Sequence, residues 1–97
     1  MQNSDLIRQL VDKAKEYPSI TKIALFGSRA RSDYSPTSDF DICVSCWDEK
    51  DYINFYFDVE DIDTFYTIDL LRYENLTNDL LKEEISRDEV TLYELAG

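Results

Sequence analysis

Three aspartates in two apolar segments are the residues of this sequence best suited to chemistry. Asp39 and Asp41 flank one phenylalanine in a β-rich segment, and Asp69 lies in a second such segment, Tyr66 to Leu71. Because alternate residues of a strand share a face, Asp39 and Asp41 would lie side by side, with Cα atoms about 6.5–7 Å apart. Carboxylates in this position repel and raise each other's pKa unless a cation is present. Hard carboxylate oxygens select Mg²⁺, so the pattern predicts a magnesium site.

Asp69 would complete this site. A carboxylate that is buried and unpaired in an apolar strand costs several kcal/mol, so we expect Asp69 to have a partner. Two metal ions shared by Asp39, Asp41 and Asp69 would provide it, and such a pair stabilises both oxygens of an in-line phosphoryl or nucleotidyl displacement. Asp69 is then the expected acceptor of the nucleophile's proton. The alternative is that Asp69 is an edge-strand charge that deters aggregation.

The dipeptide Gly27-Ser28 separates the apolar segment Ile20 to Phe26 from a short helical one that begins at Arg29. Glycine allows the backbone to turn sharply, and the amides that follow can face an anion at a helix N-terminus. A Gly-Ser turn alone is common, and an Asp-x-Asp pair alone is often a solvated strand start. Their combination favours a phosphate-binding turn beside the metal site.

The elements that must position these residues alternate between helical and strand patterns. We predict a first helix with Leu6, Leu10 and Val11 on one face, ended by Pro18. Three strands are predicted, over Ile20 to Phe26, Asp39 to Ser45 and Phe65 to Leu71. A short helix begins at Arg29, and a loop follows from Ser32 to Ser38. We also predict a helix from Asp48 to Val59, because Ile53, Tyr56 and Phe57 would share one helical face, and a last helix carrying Leu76, Leu80, Leu81 and Ile85. Val90 to Leu95 is either a short strand or an apolar plug. This order predicts one α/β domain over residues 1–97, with a short mixed central sheet flanked by helices.

Composition excludes several classes of function. The 97 residues carry 10 Lys and Arg against 21 Asp and Glu, a net charge of −11, so nucleic acid and anionic membranes are unsuitable partners. There is no histidine, which removes every imidazole-based mechanism. No apolar run approaches a membrane span and no export signal is recognisable, so we expect a cytoplasmic protein. Cys43 and Cys46 cannot complete a zinc site alone, and we expect them to be reduced, partly buried thiols.

At Gly27-Ser28 and Asp39-Phe40-Asp41 the sequence resembles the minimal nucleotidyltransferases (MNT) of the DNA polymerase β-like superfamily. The pattern of that family is Gly-Ser, ten intervening residues and Asp-x-Asp, and the ten residues Arg29 to Ser38 match this spacing. Ser32 stands where the family commonly has glycine. The resemblance covers most of the chain and is far more specific than either dipeptide.

The resemblance implies a role for each matching residue. Gly27 and Ser28 would hold the terminal phosphates of ATP, with Arg29 or Arg31 helping to neutralise them. Asp39 and Asp41 would bind two Mg²⁺ ions, and Asp69 would complete the metal site and activate the acceptor hydroxyl.

Free-standing relatives of this size resemble the antitoxin of HEPN/MNT toxin–antitoxin pairs. This likeness implies transfer of AMP from ATP to a tyrosine of a HEPN ribonuclease, with the acceptor held on that separate subunit. Seven acids and one lysine, Lys50, lie between Asp48 and Asp63, which is either a solvated surface or a docking face for a basic partner. Two alternatives stay open: an antitoxin that blocks the toxin by binding alone, and a nucleotidyltransferase that acts on a small molecule.

Overall fold

Four strands form one mixed sheet: β1 (Ile20–Phe26), β2 (Phe40–Cys46), β3 (Ile68–Arg72) and β4 (Val90–Glu94). In this computed structural model, which describes residues 3–32, 35 and 37–96, their order is β3-β2-β1-β4. β1 is antiparallel to both β2 and β4, whereas β2 and β3 are parallel. The short mixed sheet is confirmed. The C-terminal segment is a strand rather than a plug, because it pairs with β1.

The helices follow the predicted order: α1 (Asn3–Ala14), α2 (Ser28–Arg31), α3 (Glu49–Glu60) and α4 (Asp79–Asp88), with a 3₁₀ turn over Tyr73–Asn75. The side chain of Asp48 accepts a hydrogen bond from the amide of Lys50 at 3.0 Å, which explains why α3 begins there. Asn78 caps α4 in the same way. The predicted loop from Ser32 to Ser38 lies partly outside the described residues.

One face of the sheet packs against α1 and α3 and holds the larger core. Phe40, Ile42 and Val44 alternate along β2 toward this face, and all three are buried. Leu10 of α1 and Phe55 of α3 pack into the same core. This packing fixes the pleat of β2, so the residues between them point to the other face of the sheet.

The opposite face is covered by α4. Phe26 and Cys43 pack there against Ile85. Cys43 and Cys46 are both free, as expected, and they are buried rather than partly buried. Burial raises the pKa of the Cys43 thiol to about 11, so this thiol stays protonated and unreactive at neutral pH. Asp41 is two residues before Cys43 on β2, so its side chain lies on the same face of the sheet as α4.

Three sequence-based expectations need correction. β2 begins at Phe40 rather than Asp39, and β3 begins at Ile68 rather than Phe65, whose side chain is 100% exposed. The α3 prediction is correct, but the apolar residues on which it rested do not face the core: Phe55 and Val59 are buried, whereas Phe57 is 60% exposed, and Ile53 and Tyr56 are also exposed. α3 is apolar on two sides, so periodicity alone does not reveal which side packs on the sheet.

Candidate active site

Asp41 and Asp69 are brought together by the pairing of β2 with β3. The two strands run parallel, and Asp41 is the register partner of Asp69. Neighbouring strands lie about 4.8 Å apart and residues in register share a face, so both carboxylates belong to the α4 side of the sheet. Asp39 immediately precedes β2 and is exposed. The three aspartates therefore lie at one end of the parallel pair.

The electrostatic environment of Asp41 is unfavourable to its charge. Partial burial raises the pKa of Asp41, and the negative charges of Asp69, Asp39 and Glu84 raise it further. Arg31 opposes this effect, but it is the smallest contribution. A carboxyl group whose neighbours are mostly acidic is costly to ionise, and a cation would relieve that cost. Such perturbed groups are candidates for functional sites.

Gly27 lies directly against the carboxylate of Asp41. Phe26, the last residue of β1, pairs with Asp41 across the antiparallel strands, and the chain then turns at Gly27 with φ of 75° and ψ of −156°. A Cβ built on Gly27 would lie 2.4 Å from Oδ2 of Asp41. Glycine is required here both by the backbone conformation and by space. The predicted phosphate-binding turn and the predicted metal-binding strand are thus in contact.

Arg29 joins the segments that carry the candidate residues. Its guanidinium is buried, with its carbon 4.1 Å from the ring centre of Phe40 and 5.0 Å from that of Tyr66. Its Nε donates a hydrogen bond to the carbonyl oxygen of Ser38 at 2.9 Å. Arg29 therefore ties α2 to the residues just before β2 and β3. These contacts show that Arg29 positions the site, and its contact with a nucleotide stays a prediction.

Arg31, in contrast, reaches toward α4. Its Nη1 lies 3.3 Å from a carboxylate oxygen of Asp88 and 3.6 Å from one of Glu84. Sequence reasoning did not identify Glu84 and Asp88 as neighbours of the site. Their spacing of four residues places them on one face of a helix, but only the docking of α4 beside α2 reveals what that face meets.

The environment of Asp69 is that of the alternative given in the sequence analysis, a charge on an edge strand. It is exposed on β3, which is an edge strand, so burial does not force it to take a partner. The argument that burial would require a partner for Asp69 therefore does not apply. Its position still supports a role at the site, because its charge is among those that raise the pKa of Asp41.

The carboxylates fit Mg²⁺ by their chemistry and their placement on adjacent elements. Within residues 3–32, 35 and 37–96, however, no group of three His, Cys, Asp or Glu side chains is arranged as a metal site. A cavity of about 240 Å³ on the same side of the sheet is lined by Lys22, Cys43 and Glu89, among others, and not by the three aspartates. The candidate site is thus an open surface at the end of the sheet. No helix formed by the described residues is long and apolar enough to span a membrane.

Sequence comparison identifies two archaeal relatives. Two proteins of Methanocaldococcus jannaschii, named "Putative protein adenylyltransferase MJ1215" and "Putative protein adenylyltransferase MJ0128", are each 39% identical to this chain, over 57 and 67 residues. The matches cover 59% and 69% of this chain, and 65% and 63% of the relatives. The chain thus spans slightly less than two thirds of the length of these relatives.

Solved structures share the fold. A chain in a toxin–antitoxin crystal structure with AMP-PNP superposes with a TM-score of 0.64 at 19% identity, covering 97% of this chain and 75% of that one. A structure of the tri-AMPylated Shewanella oneidensis HEPN toxin in complex with MNT antitoxin gives a TM-score of 0.63 at 15% identity, covering 97% and 74%. At these identities the likeness concerns the fold alone.

The family assignment rests on a match that extends over nearly the whole chain. The sequence profile described as "Polymerase beta, Nucleotidyltransferase" matches residues 8–96. That range contains Gly27-Ser28, Asp39, Asp41 and Asp69, together with every strand of the sheet. This chain belongs to the polymerase β nucleotidyltransferase family.

Proposed function

We propose that this chain is a magnesium-dependent nucleotidyltransferase antitoxin, which transfers AMP from ATP to a tyrosine of a HEPN-type toxin and so neutralises it. Family membership supports the reaction class. The names of the two archaeal relatives support a protein as acceptor. The shared fold with an MNT antitoxin in complex with an AMPylated HEPN toxin supports the partner.

The observation that carries this proposal is the contact between Gly27 and Asp41. It joins a turn suited to phosphate with a carboxylate that needs a cation, and the register of β2 and β3 adds Asp69. A close backbone approach would hold phosphate, and acidic ligands would hold the metal ions that a nucleotidyl transfer uses. A fold used only for binding would have no need of either.

In the proposed reaction the tyrosine oxygen forms a bond to the α-phosphorus of ATP. The bond from that phosphorus to the oxygen bridging to the β-phosphate breaks, and pyrophosphate leaves with the electron pair. Asp69 accepts the proton of the tyrosine hydroxyl. Gly27 and Ser28 contact the terminal phosphates, and Arg29 or Arg31 helps to neutralise them.

Asp39, Asp41 and Asp69 are the residues that would hold two Mg²⁺ ions. When bound, these ions supply positive charge that offsets the repulsion among the carboxylates and the triphosphate. The reaction is placed in the cytoplasm, where ATP is available and where the free thiols of Cys43 and Cys46 stay reduced.

The test is to mix the purified chain with the protein encoded by the adjacent gene, ATP and Mg²⁺, and to measure the intact mass of that protein. We expect additions of one or more AMP units, located on a tyrosine by peptide mapping. The double variant Asp39→Asn/Asp41→Asn should abolish transfer and keep the complex. Glu83→Gln, which removes an exposed acid on α4, is the matched control and should retain transfer.

Two results would contradict the proposal. If the adjacent protein is silenced without any gain in mass, and the double variant silences it equally well, the chain acts by binding alone. If the adjacent protein is neither bound nor modified while nucleotide is transferred to an added aminoglycoside, the acceptor is a small molecule.

A further inference from the structure

The outer side of α3 and the segments beside it carry an unusual share of the exposed apolar side chains. Of the nine large apolar side chains that are exposed among the described residues, five fall between positions 47 and 65. They are Trp47, Ile53, Tyr56, Phe57 and Phe65. Ile53 and Phe57 are four residues apart, and the rings of Tyr56 and Phe57 meet edge to face with centres 5.8 Å apart. We refer to these five residues as the α3 surface.

The charge around the α3 surface is acidic and unneutralised. Every ion pair that the described residues form with one another lies outside positions 47–65. Three acids of this region are used internally: Asp48 caps α3, Asp51 accepts a hydrogen bond from Ser19, and Asp58 accepts one from Tyr17. The acids left exposed to solvent are Glu49, Glu60, Asp61 and Asp63.

The combination of aromatic side chains with an unpaired acidic rim indicates what this surface binds. Aromatic side chains surrounded by charge are typical of the centre and the rim of a protein interface. A second copy of this chain is a poor occupant, because a two-fold interface would bring the same acids face to face. Nucleic acid and anionic membranes would be repelled. The complementary occupant is a protein with a basic, partly apolar face.

We propose that the α3 surface is the docking site for the protein that the active site modifies, and that it binds a basic face of that protein. This inference rests on the proposed function, since it names where the acceptor is held. Aromatic anchors provide the affinity, and the four acids orient the basic partner and accelerate its association.

Docking on α3 is separate from the chemistry. α3 packs on the side of the sheet occupied by Phe40, Ile42 and Val44, whereas Asp41 lies on the opposite side. Substitutions on the outer side of α3 therefore leave the carboxylates and the Gly27 turn in place. They are expected to change the affinity for the partner without changing the affinity for nucleotide.

The test uses the full chain and the protein encoded by the adjacent gene. Isothermal titration calorimetry measures the affinity of Ile53→Ser/Phe57→Ser, with Leu80→Ser as the matched control. Leu80 is 76% exposed on α4, so it loses a similar apolar side chain outside the α3 surface. We expect the double variant to bind the partner at least about tenfold more weakly, because it loses contacts at the centre of the interface. The affinity of the control should stay within about twofold of that of the unmodified chain. Binding of ATP with Mg²⁺ should be the same in all three proteins.

A charge reversal tests the acidic rim. Glu60→Lys on α3 should slow association with the partner, and the effect should shrink as salt is raised, because exposed charges act mainly on the association rate. Glu83→Lys on α4 makes the same change outside the α3 surface and should have a smaller effect. Equal effects of the two reversals would show that net charge alone is responsible and would overturn the role of the rim.

The possible failures are distinguishable. If the Ile53→Ser/Phe57→Ser variant binds the adjacent protein as the unmodified chain does, the docking site is elsewhere and the proposed function stands. If the unmodified chain does not bind that protein at all, the proposed partner is wrong and the docking inference fails with it. If light scattering shows that the unmodified chain is a dimer and the double variant a monomer, the α3 surface is occupied by a second copy.

Discussion

Gly27 lies against Asp41 so closely that a Cβ on the glycine would be 2.4 Å from the carboxylate oxygen Oδ2. The two residues are not neighbours in sequence, and the antiparallel pairing of β1 with β2 brings them together. The turn and the carboxylate are consequently in close contact, with no room for a side chain on Gly27. This relationship connects backbone conformation, stability and the proposed chemistry.

Gly27→Ala should be destabilising and should impair transfer. The backbone at Gly27 has a φ of 75°, which disfavours any L side chain, and the added methyl group displaces Asp41. We expect the free energy of unfolding to fall by about 2 kcal/mol, in the range of one strained residue. Urea denaturation measures this loss, and the mass assay measures transfer. A variant as stable and as active as the unmodified chain would show that Asp41 moves freely away from the turn.

Ser32→Gly should have the opposite effect on stability. Ser32 follows α2 with a φ of 67° and a ψ of 18°, the left-handed conformation that glycine adopts without strain. Glycine therefore suits this backbone position better than serine does. We expect a gain of about 0.5–1 kcal/mol in the free energy of unfolding, after the entropy of the added glycine offsets part of the relief. A loss of stability would indicate that the serine side chain has a contact that the backbone argument omits.

Asp41→Asn should raise thermal stability at neutral pH in the presence of EDTA. Burial and the neighbouring carboxylates raise the pKa of Asp41, so the folded protein holds this proton more tightly than the unfolded chain. Protonated Asp41 therefore stabilises the fold fully below the ordinary aspartate pKa of about 4. This stabilisation is lost as pH rises through the pKa of Asp41 in the folded protein. Above that range the ionised group destabilises the fold, and asparagine removes this cost. Scanning calorimetry from pH 5 to 8 should show the higher melting temperature.

Magnesium should reverse that ranking. The unmodified chain is expected to gain melting temperature as Mg²⁺ is added, because binding to the folded state alone stabilises it, and Asp41→Asn should gain less. Glu83→Gln, which alters an exposed acid on α4, should respond as the unmodified chain does. Equal gains in all three proteins would mean that Asp41 is not a ligand.

Arg29→Lys should lower stability before any nucleotide is added. Lysine retains the positive charge, but it loses the planar group on Phe40 and the Nε donor to the Ser38 carbonyl. We expect a loss of about 1–3 kcal/mol in the free energy of unfolding, as for a buried charged hydrogen bond. Arg31→Lys, at an exposed residue with surface ion pairs, should cost less than about 1 kcal/mol. A variant of Arg29 with unchanged stability and a raised KM for ATP would instead identify Arg29 as a nucleotide ligand.

Tyr17→Phe should change the alkaline stability of the protein. The Tyr17 hydroxyl donates a hydrogen bond to the carboxylate of Asp58, which links the chain after α1 to α3 and raises the pKa of Tyr17 to about 12. The stabilisation is therefore complete below pH 10 and is lost as pH rises through 12. We expect the variant to lose about 1 kcal/mol at pH 7. The difference from the unmodified chain should vanish near pH 12, and a constant difference would contradict this interpretation.

Much of the fold is predictable from local patterns. The spacing of Leu6, Leu10 and Val11 predicts α1, and the continuous apolar run of β1 predicts that it is not an edge strand. The strand that carries Asp41 and the helix after Gly27 also follow from sequence. These predictions hold because backbone propensity and side-chain periodicity act within a few residues.

Other features are not encoded locally. α3 carries apolar residues on two sides, and only its contact with the sheet buries Phe55 and exposes Phe57. Asp69 is exposed because β3 is at the edge of the sheet, and strand order is a property of pairing between distant segments. The same applies to Glu84, which reaches the neighbourhood of Asp41 only when α4 docks on the sheet.

The sequence by itself determined which groups are available for chemistry: the Gly27-Ser28 dipeptide and the carboxylates of Asp39, Asp41 and Asp69, with no histidine. It also determined the order of the elements that carry them, because each element is specified by its own residues. The tertiary structure alone decided that Gly27 contacts Asp41, that Asp41 is beside Asp69, and that aromatic side chains face solvent on α3. These relationships depend on which strands pair and which surfaces pack together. Pairing and packing minimise the free energy of the whole chain, so they cannot be derived from any one segment.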